Sequence, residues 1–349
     1  MKKHYLLFAS LTYAYPILRP LQKEIRRRGD IAAWFLEDSC PDQLEEDELR
    51  LCTFKEVKEF NPVAVFAPGN HIYDFFPGVK VSIFHGYPIN KRGDKVDDHF
   101  KIRGWFDIYC TQGESSTTVF RLLENKHKYF KVYETGWSKT DHLIEALNTD
   151  NRTNESKPTV FVATTFSKGI SSLDTFYPYI EEMSKKNKWN WFITKHPKYN
   201  NHDVICKYEK LSEECPNVNF LPNASVEDMV KTDVMLCDSS SIIIEYMLLG
   251  KPVVTLNNTS PGPHLLNVTD PSRIEDAIIQ ALNRPKELMM AIKSYTLYHE
   301  RHRDGQNCAR ILDAVDDFIN NYYGKIKKKP FNLFRKMKLR WKLLKSKKI

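Results

Sequence analysis

Short apolar runs alternate with amphipathic stretches along most of the chain. In the first half YLLFAS, IAAWFLE, VAVFAP, KVSIFHG, DIYCTQG and KVYETG read as strands, and helical spacing recurs near Ile17 to Arg28, Glu114 to Asn125 and Lys139 to Leu147. The polar, aperiodic stretch from Asn148 to Pro158 predicts an interdomain linker. A second series follows, in which TVFVATTF, WNWFITKHP, NVNFLP, DVMLCDSSS and PVVTLN are strand-like. Helical patterns lie between and after them, ending in GQNCARILDAVDDFINNYY. Alternating strands and helices with near-continuous apolar strands predict parallel sheets covered on both faces. The expectation is an α/β protein with two Rossmann-like domains, residues 1–150 and 156–322, and a cleft between them.

In such sheets ligands gather beyond the carboxyl ends of the strands, so chemistry is sought in the loops there. The first domain offers His85-Gly86 and the turn TGWSKTD, which holds Lys139 and Asp141. The second offers TTFS with Thr164 and Thr165, KHP with Lys195 and His196, and CDSSS from Cys237 to Ser241. In VSIFHGYPINKRG an apolar strand pattern runs straight into a histidine, which ordinary turns do not need. His85 reads either as a catalytic base, with Gly86 admitting a ligand close to the backbone, or as a solvated loop histidine. In DVMLCDSSSIIIEYMLLGKPVV a buried strand ends at Asp238, and Ser239, Ser240 and Ser241 open a helix. Hydroxyls and backbone N–H groups there suit a pyrophosphate, and plain capping is the alternative. Glu245, about one turn further on, is placed to meet a sugar hydroxyl of a nucleotide or to pair on the helix surface. Pro197 stops the strand beside His196, which reads as a phosphate contact or as a second loop histidine.

Composition narrows the class. At 349 residues and 42% hydrophobic the chain can bury the cores of two domains. The opening MKKHYLLFASLTYAYP has too short an apolar run, and no small-residue cleavage site, for a signal peptide; it reads as the first buried strand. No run approaches the roughly 18 apolar residues of a membrane span, which predicts a soluble or surface-bound protein. Seven cysteines with no C-x-x-C pair point to structural thiols in a reducing cytoplasm and away from zinc. The net charge of +8 is uneven: Gly324 to Ile349 holds twelve Lys or Arg and no acid, leaving the body at −4. That distribution argues against a nucleic-acid partner. In this tail Phe334, Met337, Trp341 and Leu344 recur at helical spacing among basic residues. The segment 324–349 therefore reads as a basic amphipathic element for an anionic membrane surface, with a solvated basic tail as the alternative.

Taken in order, HGYPINKRG, TGWSKTD, ATTFS, KHP, CDSSSIIIEYMLLGKPVV and DGQNCARI resemble the CDP-glycerol glycerophosphotransferase family, the teichoic-acid-type primases and polymerases also found in capsule pathways. The resemblance covers about residues 79 to 322. It implies a GT-B architecture, a donor nucleotide held mainly by the second domain, and transfer of glycerol phosphate or a related polyol phosphate from its CDP ester. It further implies that His85 is the general base, that His196 contacts the donor phosphates, that Ser240 and Ser241 help bind the pyrophosphate, and that Asp304, Gly305 and Arg310 lie near the nucleotide. A CDP-alcohol donor, a glycan or lipid-linked acceptor, and a place on the cytoplasmic face of the plasma membrane follow as expectations.

The departures are specific. The family commonly has Pro-Arg before Asn-Asp where this chain reads WSKTD, so an arginine's role falls to Lys139 or is absent. Ser239 replaces a usual tyrosine, and Lys168 stands where an arginine often follows the threonine loop. UDP-N-acetylglucosamine 2-epimerases resemble the same stretches from Cys237 to Val254 and from Asp304 to Arg310. Against them stand the His-Gly-x-Pro-x-x-Lys order from His85 to Lys91 and the basic tail. A non-catalytic anion-binding module that docks on lipid would leave both histidines unexplained. No carboxylates have the spacing of a magnesium site, although Asp97 and Asp98 or Asp238 could be recruited, so a divalent metal is left open.

Overall fold

A computed structural model of the chain describes residues 2–88, 98–151, 157–167 and 169–343. Lys91, Asp97, Lys168 and Leu344 lie outside those residues. The chain divides into two units.

The first unit begins with β1 (His4–Ala9), α1 (Tyr15–Arg27), β2 (Ile31–Leu36), α2 (Phe54–Phe60), β3 (Ala64–Ala67) and β4 (Val79–Ser82). It continues with β5 (Ile108–Thr111), α3 (Glu114–His127), β6 (Lys131–Glu134) and the start of α4 (Ser138–Thr149). Its six strands are all parallel, in the order β2-β1-β3-β4-β5-β6. The central strands are buried along their whole length, as apolar runs covered on both faces must be. Pro16 in the first turn of α1 and a Thr53–Glu56 capping box on α2 fix where those helices begin. A knot of aromatic rings, Phe8, Phe35, Phe54, Tyr73 and Phe76, packs largely edge to face and fills one side of the sheet.

The second unit runs from Leu143 to Tyr298. It holds β7 (Thr159–Ala163), α5 (Leu173–Lys185), β8 (Asn190–Thr194), α6 (His202–Glu214), β9 (Val218–Leu221) and α7 (Val226–Val230). Then come β10 (Val234–Cys237), α8 (Ile242–Leu248), β11 (Val253–Leu256), β12 (Leu266–Val268), α9 (Ile274–Leu282) and α10 (Lys286–His299), whose last residue counts with the first unit. The parallel sheet is ordered β12-β11-β10-β7-β8-β9. Counted within the unit this is the 3-2-1-4-5-6 Rossmann order, and its strand order reverses between β7 and β10.

Two expectations about boundaries change. Asn148 and Thr149 belong to α4 and not to a linker, while residues 152–156 lie outside the described residues. The chain from His299 onward belongs with the first unit, not with residues 156–298. The reason is α11 (Asn307–Asn321), whose apolar face of Ile311, Leu312, Val315 and Phe318 packs against α1 and the β4–β6 side of the first sheet.

The basic tail is folded as well. Lys329 pairs with Asp107 at 2.8 Å, and Lys336 and Arg340 of α12 (Leu333–Leu343) pair with Asp74 at 3.1 and 3.3 Å. Leu339 and Leu343 join the aromatic core of the first unit. Gly104, in the left-handed region at φ +75°, makes room for this seat: a Cβ there would stand 2.5 Å from Asn332 Nδ2 and 2.8 Å from Pro330. From Leu333 to Leu343 the tail is thus a helix docked on the first unit, not a solvated run. Among the described residues no helix is long and apolar enough to cross a membrane.

Candidate functional site

In the first unit the sheet reverses its order between β1 and β3, and the loops beyond those strands meet His85 there. β4 stops at Ser82, and Phe84 takes φ +55°, a rare value for a bulky residue that turns the chain out of the sheet. That turn presents an exposed His85. Its Nδ1 lies 3.3 Å from the carbonyl oxygen of Pro68, and its ring sits 5.1 Å from that of Tyr13. A carbonyl can only accept, so this contact assigns the proton to Nδ1 and leaves Nε2 as the basic nitrogen. Gly86 lacks a positive φ, its carbonyl accepts from Gln112 Nε2 at 3.0 Å, and a Cβ there would meet nothing, so the space beside its backbone is open. The conformational strain falls on Phe84 instead.

His99 stacks on Phe84 at 4.8 Å, and burial together with nearby His85 holds its pKa down to about 3. It is therefore neutral and adds no positive charge beside His85.

The TGWSKTD turn and the start of α11 form a second cluster in this unit. Gly136, at φ +78°, is required where it stands, since a Cβ would come within 2.4 Å of the Asn307 side chain. Asp141 accepts from the backbone N–H groups of Asn307 and Cys308 at 2.9 and 2.7 Å, so its carboxylate caps α11. Arg310 is engaged by Asp304 and, at 3.1 Å, by Asn307 Oδ1. It lies in the first unit, whereas the expected boundaries put it in the second. Lys139 extends its ammonium over the Trp137 ring at 5.6 Å. Sequence reasoning missed Glu300, which is fully buried and accepts from Tyr87 Oη at 2.8 Å and from Trp137 N and Asn307 Nδ2 at 3.1 Å. Burial raises its pKa well above the ordinary carboxyl value, against the pull of these donors.

In the second unit the loops after β7, β8, β10 and β11 lie side by side at the carboxyl edge of the sheet. Asp238 is completely buried and accepts from Thr165 N at 2.9 Å and Ser172 N at 3.1 Å, tying the loops together across the point where the order reverses. Burial raises its pKa, and both of its carboxyl oxygens are engaged by backbone N–H groups of the neighbouring loops. Ser239 is also committed to structure: its hydroxyl accepts from Thr259 N at 2.8 Å. Ser241 makes no side-chain cap on α8, and that helix is only seven residues long. Anion binding here would accordingly rest on hydroxyls more than on a helix dipole. The Thr164 and Ser171 hydroxyls are buried with no hydrogen-bond partner among the described residues, an expensive state that a ligand would relieve. Ser171 gave no sign of this in the sequence, because its loop follows a strand end by several residues.

His196 Nδ1 accepts the Lys198 N–H at 3.0 Å, which makes Nε2–H a donor, and its ring packs on Phe166 at 4.4 Å. Neighbouring Lys195 pairs with no described carboxylate. Glu245 is buried, so it is not a helix-surface residue. Among the described residues no three His, Cys, Asp or Glu side chains gather as a metal site.

No family model matches the chain, and no curated protein matches it. Solved structures do. The wall teichoic acid polymerase TagF, in a variant soaked with CDPG, aligns over 91% of this chain and 88% of its own at 13% identity and TM-score 0.59. S. aureus MnaA in complex with UDP aligns over 92% and 97%, at 14% identity and TM-score 0.62. The UDP-GlcNAc 2-epimerase of Neisseria meningitidis bound to UDP-GlcNAc aligns over 91% and 100%, at 15% and 0.57. At these identities the likeness establishes the two-domain GT-B fold.

Proposed function

We propose that the chain transfers glycerol phosphate, or a related polyol phosphate, from a CDP-alcohol to a hydroxyl of a cell-surface glycan or lipid-linked acceptor, releasing CMP. The observation that carries this reading is the opposite engagement of the two strand-end histidines: Nδ1 of His85 faces a carbonyl and Nδ1 of His196 an N–H. One ring thereby offers a base and the other a hydrogen-bond donor. Phosphoryl transfer needs both, together with positioning and charge stabilisation. Nε2 of His85 takes the proton of the acceptor hydroxyl as its oxygen attacks the distal phosphorus. The bond from that phosphorus to the bridging oxygen breaks, and CMP departs with the electron pair. His196 Nε2–H, Lys195 and the hydroxyls of Thr164, Ser240 and Ser241 stabilise the phosphate charge, and Glu245 meets a ribose hydroxyl. Lys91 and Lys139 serve the acceptor side. Work on a lipid-linked acceptor places the enzyme at the cytoplasmic face of the plasma membrane.

The rival reading is a UDP-N-acetylglucosamine 2-epimerase, favoured by fold likeness to such enzymes as much as to TagF. Calorimetric titration separates them. CDP-glycerol or CDP-ribitol is expected to bind more tightly than UDP-N-acetylglucosamine. Ser240→Ala with Ser241→Ala is expected to weaken that binding at least about tenfold at unchanged melting temperature. Preference for UDP-N-acetylglucosamine would turn the assignment to the epimerase.

A further inference from the structure

The first unit carries a cavity of about 420 Å³ far in sequence from His85, walled by residues 102–104, the end of α3 and the segment leading into α12. Arg103, Lys126, His127, Lys327, Lys328 and Arg335 line it, and among the described residues no acidic one does. Elsewhere the tail neutralises its charge, through Lys329 on Asp107 and through Lys336 and Arg340 on Asp74. At the cavity it does not: Lys126, Lys327 and Lys328 pair with no described carboxylate, and Arg335 donates to the carbonyl of Arg103 at 2.9 Å. Several cations brought together by folding repel one another, and an anion removes that cost. The volume is that of a small-ligand pocket, ample for a phosphate with a short alcohol attached.

α12 beside it has two apolar faces. Leu339 and Leu343 turn inward to the core. Phe334, Met337 and Trp341, three and four residues apart, are 86%, 58% and 74% exposed, and Phe331 before them is 72% exposed. Large exposed aromatic side chains next to unneutralised cations complement a surface that is anionic outside and apolar beneath, the profile of an anionic bilayer. A protein partner would have to supply apolar and acidic groups in the same arrangement.

We propose that this cavity seats the phosphate of an anionic phospholipid headgroup while Phe331, Phe334, Met337 and Trp341 enter the bilayer interface beside it. The proposal gives a place to the membrane half of the reading above and is independent of the reaction chemistry. Its test is sedimentation of the full chain with phosphatidylcholine vesicles, with and without phosphatidylglycerol. Sedimentation only with phosphatidylglycerol is expected. Lys327→Ala with Lys328→Ala is expected to weaken it roughly thirtyfold, at about 1 kcal/mol per charge. Phe334→Ser with Trp341→Ser, which leaves the cavity charged, is expected to abolish it. CMP release with a soluble acceptor should be unchanged in both variants, so loss of the reaction and loss of docking are read separately. Equal binding to both vesicle types, or full binding by either double variant, would overturn the proposal. So would saturable binding of inorganic phosphate at micromolar concentration without vesicle binding, which would make the cavity a site for a soluble anion. A dimer in sedimentation velocity abolished by Phe334→Ser would overturn it too, by assigning the apolar face to a second copy.

Discussion

Phe84 and His85 show how one strained residue sets up another. The positive φ of Phe84 turns the histidine out of the sheet, and the Pro68 carbonyl fixes which ring nitrogen carries the proton. The histidine itself was legible in the sequence, since a strand pattern ending in His-Gly is unusual. Its partners were not: Tyr13 and Pro68 are distant in sequence and belong to loops that only the order of the strands brings together. Because His85 is exposed, His85→Ala should leave folding and donor affinity nearly intact. Turnover should fall by roughly 100- to 10,000-fold, as loss of a general base does. A steady-state assay of CMP release checks this, and near-normal rates would return His85 to the role of a loop residue. Glu300 makes a separate prediction. Its pKa is raised in the folded protein, so the native state holds a proton that the unfolded state releases above about pH 4.3. Stability must then fall as pH rises from that value towards the raised one. Glu300→Gln should flatten this part of the stability–pH curve measured by urea unfolding, and an unchanged slope would show that Glu300 is ionised in the fold.

At the scale of elements, β7, β8, β10 and β11 were readable because buried parallel strands are nearly continuous apolar runs with polar residues at their carboxyl ends. What the pattern concealed was the division of labour at the end of β10. Asp238 and Ser239 hold neighbouring loops, whereas Ser240 and Ser241 are the two for which a ligand is proposed, and no property of DSSS alone distinguishes them. The helix of the tail was also legible from Phe334, Met337 and Trp341, yet those residues face outward. The docking face is made by Leu339, Leu343 and the ion pairs to Asp74 and Asp107, all set by tertiary contacts. Gly104→Ala should unseat this element, since a Cβ would collide with Asn332 and Pro330 and the left-handed backbone would cost a further 1–2 kcal/mol or so. Limited proteolysis is expected to cut within 325–343 much faster in the variant, with the sheet's hydrogen-exchange protection kept. Identical cleavage rates would mean the tail does not depend on this seat.

For the whole molecule, two Rossmann-like domains and their alternation were legible from periodicity, because each domain repeats the same strand–helix rhythm. The return of the chain to the first unit was not. α11 has an amphipathic pattern that would fit either sheet, and its place is decided by Asp141 capping its start and by its packing on α1. Arg310 and Asp304 travel with it, so residues that the sequence groups with the donor domain are built into the other unit. The account as a whole stands on transfer of a polyol phosphate from a CDP ester. ³¹P NMR of the full chain with CDP-glycerol and a hydroxyl-bearing acceptor tests it most directly. The diphosphate resonances should be replaced by CMP and a new phosphodiester in equal amounts. Persistence of the diphosphate, or CMP accompanied by free glycerol phosphate and no phosphodiester, would contradict it.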